Sequence, residues 1–270
     1  MRIKKNMANE QDKSCYRVGR TRLSITNEDA AVRFIIDSTH NGRSGYICIS
    51  NMRTVSIANS DKEYHKIMEN SLMNTPDGTP LVWCGHWWGL KKVGRACGPH
   101  IFSRVLKEKD NALRHFFLGD TDKTLSALRK KVTEEYGAHV VGTYSPPFKP
   151  IEKYDIASMA KLINDSGATI VWTSLRAPKQ DFLGALLAQH LNKGIIVVGV
   201  GAAFRCEIGE IKQPDGLLQK IGLAGISFII KRDNSSWWEE VKWYAGAILS
   251  LIKYFFTIKW KRLRGVKHYE

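Results

Sequence analysis

The fold is decided by the stretch Thr169-Ile-Val-Trp-Thr-Ser-Leu-Arg-Ala177, in which a buried-type strand, Thr169 to Trp172, runs into a loop. A helical pattern follows from Pro178 to about Leu191, and a second apolar strand follows at Ile195-Ile-Val-Val-Gly-Val200. Apolar strands that alternate with amphipathic helices are typical of a parallel sheet covered by helices on both faces. The sequence therefore predicts a Rossmann-like, mostly parallel α/β fold, in which ligands bind outside the carboxyl ends of the strands.

The same alternation extends toward the N-terminus. Strands are predicted at Val32–Ile36, Tyr46–Ile49, Thr54–Ala58, His115–Leu118 and His139–Gly142. Helices are predicted at Ser60–Leu72, at about His100–Lys109, from Gly119-Asp-Thr-Asp122 to about Tyr136, and at about Tyr154–Asp165. We expect residues 23–213 to form one α/β domain.

Composition and charge narrow the class of protein. The chain has 270 residues, of which 43% are hydrophobic and 25% charged, which is ordinary for a soluble globular protein. A net charge of +15 is not ordinary and implies an anionic partner. The excess lies at both ends, and residues 1–22, which lack the apolar core of a signal peptide, are expected to be a mobile basic start of a cytosolic protein. Five cysteines without a C-x-x-C pair fit reduced thiols and imply no zinc site.

The C-terminal part, residues 214–270, differs from the rest. Its longest uncharged run, Trp243 to Ile252, is too short for a hydrocarbon core that needs about 20 apolar residues. Aromatic residues mixed with lysines fit an amphipathic helix that lies in the interface of an anionic membrane. The alternative is a helix that packs on the core and carries a solvated basic tail.

A candidate catalytic residue lies in Asn74-Thr-Pro-Asp-Gly-Thr-Pro-Leu-Val-Trp83. The Pro-Asp-Gly turn runs into a short apolar run, so that Asp77 is expected at the rim of a crevice. A carboxylate there can take a proton from a bound hydroxyl. Taken alone, the same residues are also explained as a simple turn.

Asp120-Thr-Asp122 has the D-x-D pattern that can hold a divalent metal on a nucleotide diphosphate. We favour the interpretation that Asp122 caps the following helix, and we expect no metal cofactor.

Seven motifs in order resemble the WecG/TagA/CpsF glycosyltransferases, over roughly Ser56 to Glu210. The motifs are Ala58-Asn59, Pro76-Asp-Gly78 before Val82-Trp83, Arg95-Ala-Cys-Gly98, Phe117-Leu-Gly119, Val141-Gly142 with Ser145-Pro-Pro-Phe148, Pro178-Lys-Gln-Asp181, and Val198-Gly-Val-Gly201 with Phe204. Each motif alone is weak, but seven with plausible spacing are specific.

The resemblance implies an inverting transfer of a sugar from a nucleotide diphosphate donor, expected to be a UDP-sugar, to a polyprenyl diphosphate-linked saccharide. It places the enzyme at the cytoplasmic face of the bacterial plasma membrane. It implies Asp77 as the general base and a set of donor-site residues. That set is Asn59, Arg95, Gly119, Phe148, Gln180 and Gly201, with Lys231 and Arg232 as candidates for a diphosphate contact from the C-terminal appendage. Such chemistry needs a base for the acceptor hydroxyl and cationic or N–H groups for the departing diphosphate.

Three positions depart from the family pattern. Ile57 replaces a common Thr, Arg205 replaces an acid, and Gly222-Leu-Ala-Gly225 replaces Gly-Leu-Glu-Trp. The sugar, the nucleobase and the acceptor therefore stay open, as does assembly into a homo-oligomer.

Other functions fit less well. An oxidoreductase would need G-x-G-x-x-G early in the chain, whereas Gly199-Val-Gly201 comes late. Nucleic acid is not expected as a partner, because the basic residues cluster at the chain ends beside membrane-type aromatics. A non-catalytic nucleotide-binding α/β protein at the membrane surface is the remaining alternative.

Overall fold

The computed structural model describes residues 14–212 and 237–269, with side chains in the second range described from residue 246. The strands are β1 Cys15–Val18, β2 Thr21–Ser24, β3 Gly45–Ser50, β4 Met73–Pro76, β5 Arg114–Gly119, β6 His139–Tyr144, β7 Ile170–Ser174 and β8 Ile196–Gly199. The helices are α1 Glu28–His40, α2 Met52–Ser60, α3 Lys62–Asn70, α4 Thr79–Trp87, α5 Gly98–Leu106, α6 Asp122–Tyr136, α7 Ile156–Asp165, α8 Lys179–Leu187, α9 Ala203–Glu207 and α10 Trp237–Leu263. A short 3₁₀ turn, Ile151–Lys153, precedes α7.

Six strands form one sheet in the order β4-β3-β8-β7-β5-β6, and each neighbouring pair is parallel. The sheet confirms the predicted α/β class. β5 continues to β6 on one side, whereas β7 continues to β8 on the other. The carboxyl ends of β5 and β7 therefore flank a topological switch point, which is where open α/β sheets bind ligands.

Successive residues of β7 point to opposite faces of the sheet and pack into two separate hydrophobic cores. Ile170 and Trp172 face a cluster built with α1, α5 and α6, whereas Val171 faces a cluster built with α7 and α8. Trp172 is fully buried and meets Phe102 of α5 edge to face, with ring centroids 5.0 Å apart. Burial of both faces explains why these strands are apolar throughout.

Two predicted strands are helices in the structure. The run at Val32–Ile36 lies inside α1 and the run at Thr54–Ala58 inside α2. Asn27 caps α1 by accepting the amide of Ala30, and Asn51 forms a reciprocal capping box with Thr54 in α2. These caps satisfy amides that a helix start leaves free, and they outweigh the β preference of the branched residues.

The N-terminal boundary of the α/β domain lies earlier than residue 23. Residues 1–13 are outside the described part, but β1 and β2 pair antiparallel from Cys15 to Ser24. Tyr16 of this hairpin is fully buried, and its hydroxyl donates to the carbonyl of Leu81 in α4 at 2.9 Å. The segment at residues 14–22 is therefore a packed part of the fold.

Helix α10 packs against this hairpin and α4. Ile258 is 3% exposed and joins a core cluster with Tyr16 and Trp88. Phe255 meets the ring of Trp87 at 5.0 Å between centroids. Beyond the helix, the carbonyl of His268 accepts the amide of Arg17 at 2.9 Å. The C-terminal helix thus packs on the α/β domain along one of its faces.

No helix within residues 14–212 and 237–269 is both long and apolar enough to cross a lipid bilayer.

We predict that Ile258→Ala lowers the free energy of unfolding by about 2–4 kcal/mol, because it opens a cavity between α10 and the hairpin. The matched control is Ile252→Ala, because Ile252 lies on the same helix and is itself 49% exposed. This variant should change the free energy of unfolding by about 0.5 kcal/mol or less. Urea unfolding followed by circular dichroism measures both. Equal values for the two variants would contradict the packing of α10.

Candidate active site

Asp77 lies directly after β4, at the carboxyl edge of the sheet. The strand is Met73–Pro76, and the helix α4 begins two residues after Asp77. The apolar run after the turn, Leu81 to Trp83, therefore belongs to this helix, and the strand precedes the acid. The amide of Asp77 donates to the carbonyl of Ser50 at the end of β3, at 2.6 Å, which fixes the acid to the sheet.

The carboxylate of Asp77 is partly buried and faces a cation. Its side chain is 27% exposed, and Oδ1 lies 3.4 Å from Nε of Arg95. Loss of solvent raises the pKa of Asp77 above its ordinary value, while Arg95 and His100 oppose that rise. Desolvation is the larger effect, so that the net direction is upward. A carboxylate with a raised pKa is a stronger base, which suits proton abstraction from a hydroxyl.

Backbone contacts bring Arg95 to this edge. The amide of Ala96 donates to the carbonyl of Pro76 at 3.0 Å, and the hydroxyl of Thr75 donates to the carbonyl of Ala96 at 3.0 Å. The connection between α4 and α5 is thereby held against the end of β4. This is the structural reason that an Arg-Ala motif eighteen positions after the acid meets it.

The next contact along the edge requires a glycine. A Cβ on Gly98, the first residue of α5, would lie 2.7 Å from the carbonyl oxygen of Val200. Real Cβ atoms do not approach that closely, so that only glycine lets α5 start against the end of β8. The Arg-Ala-Cys-Gly motif therefore runs from the end of β4 to the end of β8, across the intervening β3.

Gly201 is held on both sides of its peptide. Oε1 of Gln180 accepts the amide of Gly201 at 3.0 Å, and the hydroxyl of Ser174 donates to its carbonyl at 2.6 Å. Gln180 is 3% exposed and lies over Gly199, where a Cβ would meet Nε2 at 2.9 Å. The predicted donor-site residues Gln180 and Gly201 are thus in direct contact.

Strained backbone marks the switch point between β5 and β7. Among the described residues other than glycine, Asp120 and Arg176 have positive φ, at 60° and 61°. Asp120 follows β5 directly, and Arg176 lies two residues after the end of β7. Gly119, with φ 114°, packs so closely that a Cβ would lie 2.8 Å from the carbonyl oxygen of Ser174. Strain of this kind clusters at functional sites, and here it coincides with the ligand-binding edge.

The carboxylate of Asp120 is occupied by Arg205. Nε and Nη2 of Arg205 each donate to one oxygen of Asp120 at 2.8 Å. The pKa of Asp120 is lowered, because the effect of this guanidinium and of the Thr121 amide exceeds the rise caused by burial. Arg205 is the residue at which the sequence departs from the family pattern, and the structure gives it a fixed place at the switch point.

The prediction that Asp122 caps α6 is wrong by one residue. Thr121 is the N-cap, and its side chain accepts the amide of Thr124, while Asp122 is the first residue of the helix. Asp122 there favours the helix through its charge. Within the described part of the chain, no group of three or more His, Cys, Asp or Glu residues could hold a metal ion.

Other predicted site residues lie apart from this line of contacts. Asn59 sits on α2, not after a strand, and its amide is fully used. It accepts from the amide of Arg20 and the hydroxyl of Thr21 and donates to the carbonyl of Val18 and the hydroxyl of Tyr254. These contacts tie the hairpin and α10 to α2, and a sugar contact of Asn59 stays a prediction.

Phe148 is fully exposed on the loop after β6. That loop is tied to the start of α8, because Nζ of Lys179 donates to the carbonyl of Lys149 at 2.6 Å. Nζ of Lys179 also lies 5.8 Å from the centre of the Phe148 ring. Lys231 and Arg232 fall outside the described residues.

A cavity of about 240 Å³ opens on the same side of the sheet, beyond β6, between Tyr144, Lys149 and Met159. Asp77 does not line it. Its volume is below the roughly 300–1,000 Å³ of ordinary ligand sites.

A model of the glycosyl transferase WecG/TagA/CpsF family matches residues 16–231, which is 216 of the 270 residues. This chain belongs to the WecG/TagA/CpsF glycosyltransferase family. Membership implies a glycosyltransferase of cell-surface polysaccharide biosynthesis, with a nucleotide-sugar donor and a glycan acceptor. Helix α10 begins at Trp237, beyond the matched residues.

Sequence reasoning did not identify two residues of this glycosyltransferase that the structure brings to the edge. Ser174 fixes the carbonyl of Gly201, and Arg205 neutralises Asp120. A polar residue at the end of an apolar strand is the signal that could have marked Ser174. The pairing of Arg205 with Asp120 joins residues 85 positions apart and has no local signal.

We predict that Mn²⁺ does not change the melting temperature of this glycosyltransferase, because Arg205 already saturates the carboxylate of Asp120. Differential scanning fluorimetry over a metal series measures the shift, with Asp120→Asn as the matched variant. A saturable rise in the wild type that Asp120→Asn removes would instead establish a metal site.

Proposed function

We propose that this enzyme transfers a sugar, with inversion, from a UDP-sugar to a polyprenyl diphosphate-linked saccharide, and that Asp77 is the general base. The observation that carries the proposal is a desolvated carboxylate at the ligand-binding edge of the sheet, 3.4 Å from an arginine. Proton abstraction requires such a carboxylate, and departure of a diphosphate requires a cation nearby.

In the proposed step, Asp77 takes the proton of the acceptor hydroxyl as its oxygen attacks the anomeric carbon. The bond from that carbon to the diphosphate breaks, and its electron pair leaves with the nucleoside diphosphate. The attacking oxygen enters from the face opposite the leaving group, so that the configuration inverts. Asp77 ends the step protonated and returns the proton to solvent.

In this scheme Arg95 affects both the base Asp77 and the departing diphosphate. Before the donor binds, its guanidinium lowers the pKa of Asp77 and so weakens the base. The diphosphate carries more negative charge than a carboxylate, and a guanidinium presents several donors to phosphate oxygens. Contact of Arg95 with the diphosphate would reduce its hold on Asp77, and the base would become stronger once the donor is in place.

Gln180, Gly119 and Gly201 form the expected donor platform on the other side of β8. Ser174 contacts the backbones of Gly119 and Gly201, and glycines at strand ends allow a ligand to approach the main chain closely. Asp120 and Arg205 close the far end of this platform at the switch point.

The outer face of α10 supports a membrane surface as a partner. Its exposed apolar side chains follow a helical spacing, and they are Ile248, Leu249, Ile252, Phe256, Trp260 and Leu263. At 100° per residue they form a stripe about 120° wide, away from the face that carries Ile258. Single exposed apolar residues are ordinary on a protein surface, whereas a continuous apolar stripe of this kind marks an interaction surface.

Cations accompany the stripe. Lys253 is exposed beside one edge of it and Lys259 within its other edge, and the guanidinium of Arg264 lies 3.7 Å from the ring centre of Trp260. Aromatic rings at headgroup level with cations beside them favour an anionic lipid surface. A lipid-linked acceptor would be met at that surface, which is consistent with a peripheral enzyme at the cytoplasmic face of the bacterial plasma membrane.

We predict that Asp77→Asn lowers kcat by about a thousandfold or more, since it removes the base, while the dissociation constant for UDP changes by about threefold or less. Radiolabelled sugar transfer and calorimetry measure the two quantities. Turnover close to wild type would remove Asp77 from the mechanism.

The pH profile provides a further check on Asp77. Since the base must be ionised and its pKa is raised, kcat should fall as the pH drops through a value above that of an ordinary aspartate. A profile whose acidic limb lies at the ordinary value would contradict the desolvated environment.

We predict that the triple variant Leu249→Ser, Phe256→Ser, Trp260→Ser loses about tenfold or more in affinity for anionic vesicles, because each buried apolar side chain contributes about 1.5–3 kcal/mol. The matched control is Lys253→Gln with Lys259→Gln, whose effect should disappear at high salt. Vesicle sedimentation of the full chain measures both. Unchanged vesicle binding by the triple variant would show that this face is not the contact.

A further inference from the structure

A buried acid lies beside the predicted donor contact. Asp181 is the third residue of α8, directly after Gln180, and it is 3% exposed. Its side chain points away from the edge, toward α3 and β3. No basic residue contributes to its environment among the groups that act on its pKa. A buried carboxylate without a cation is rare and requires an explanation.

One hydrogen bond defines its position. The hydroxyl of Tyr64 in α3 donates to Oδ2 of Asp181 at 2.5 Å. Oδ1 of Asp181 is also buried, and no hydrogen-bond partner for it occurs among the residues that the structure describes. The thiol of Cys48 in β3 faces the same carboxyl group. Asp181 thus connects α8 to both α3 and β3.

The start of α8 depends on such an anchor. Pro178 is the N-cap residue and has no side-chain capping hydrogen bond. The amide of Gln180 donates to the carbonyl of Arg176 at 3.0 Å, so that the turn begins from a residue with a strained backbone. Side chains, not a cap, therefore fix the orientation of this turn.

We propose that Asp181 is a positioning residue: its hydrogen bond with Tyr64 anchors the first turn of α8 and thereby holds Gln180 over Gly199, with Gln180 bonded to the amide of Gly201. A movement of this turn would displace Gln180. Its side chain fills the space over Gly199, and its Oε1 accepts the Gly201 amide at 3.0 Å. The effect that Asp181 should have on donor affinity rests on the proposed function, whereas its effect on Gln180 and Gly201 does not.

Protonation of Asp181 controls this anchor. Burial raises its pKa to about 7, and the Tyr64 hydroxyl and the nearby Cys48 thiol oppose the rise. The facing groups are Tyr64 on α3 and Cys48 on β3, with Tyr46 of β3 nearby. Arg22 of β2 acts on Tyr46 and Cys48.

Ionised Asp181 would be an uncompensated charge in the interior, which favours movement of the turn toward solvent. The stabilising effect of neutral Asp181 is complete below the ordinary value of 3.8 and is lost as the pH rises through about 7. The hold on Gln180 should weaken over the upper part of that window.

The first experiment observes the Gly201 amide directly. The full chain is labelled with ¹⁵N-glycine, and the amide proton shift of Gly201 is followed from about pH 5 to about pH 9. We expect a titration near neutral pH in the wild type and none in Asp181→Asn. Tyr64→Phe removes the anchor itself, so that the amide shift of Gly201 should differ from that of the wild type already at low pH and should titrate less.

Asp165→Asn is the matched control, since it removes an exposed acid that is paired with Lys161. It should titrate as the wild type does. A Gly201 amide that is independent of pH in the wild type, or a Tyr64→Phe variant whose Gly201 amide matches that of the wild type at every pH, would overturn the proposal.

The second experiment measures UDP affinity by calorimetry over the same pH range. Loss of one hydrogen bond predicts that affinity falls by about five- to tenfold at high pH in the wild type relative to Asp181→Asn. Both proteins are compared at each pH, because the terminal phosphate of UDP titrates as well. UDP that fails to bind at any pH would contradict the proposed donor, while a Gly201 titration in the same sample would still support the positioning role.

Discussion

The parallel direction of all six strands is the constraint on which the site depends. It brings every strand's carboxyl end to one edge, and close contacts then join those ends into a continuous rim. Asp77 and Arg95 follow β4, Gly98 meets Val200 after β8, and Gly201 is fixed by Gln180. Residues more than a hundred positions apart are thereby neighbours without any long side chain to link them. A rim made from backbone contacts is rigid, which is what a transfer reaction requires of its binding groups.

The fold was largely predictable from the sequence, because strands buried on both faces are apolar throughout. The errors occurred where that signal is ambiguous. Val32–Ile36 and Thr54–Ala58 contain β-branched residues but form helices, because Asn27 and Asn51 cap them. Periodicity in so short a run does not separate a strand from a helix, and the preceding cap decides. Asp77 follows the strand β4, and the apolar run after it belongs to the helix α4.

The contacts among the predicted site residues could not be foreseen from the sequence. Gln180 and Gly201 were both expected to line the donor site, and they prove to touch each other. Asn59 came from the same resemblance, yet its four hydrogen bonds join the hairpin and α10 to α2. The pairing of Arg205 with Asp120 depends on the switch point, which is a property of strand order. Sequence patterns do not encode strand order, and so this pair could not be foreseen.

Two aspartates illustrate how one physical effect can have different uses. Desolvation raises the pKa of both Asp77 and Asp181. Asp77 retains 27% exposure and has an arginine beside it, so that it can be ionised when substrate arrives and can exchange a proton. Asp181 is sealed from solvent and meets a phenol instead of a cation, which favours its neutral form. The first environment suits a group that reacts, and the second suits a group that holds a helix start in place. The difference follows from the partner that each carboxyl group faces, since burial alone moves both pKa values in the same direction.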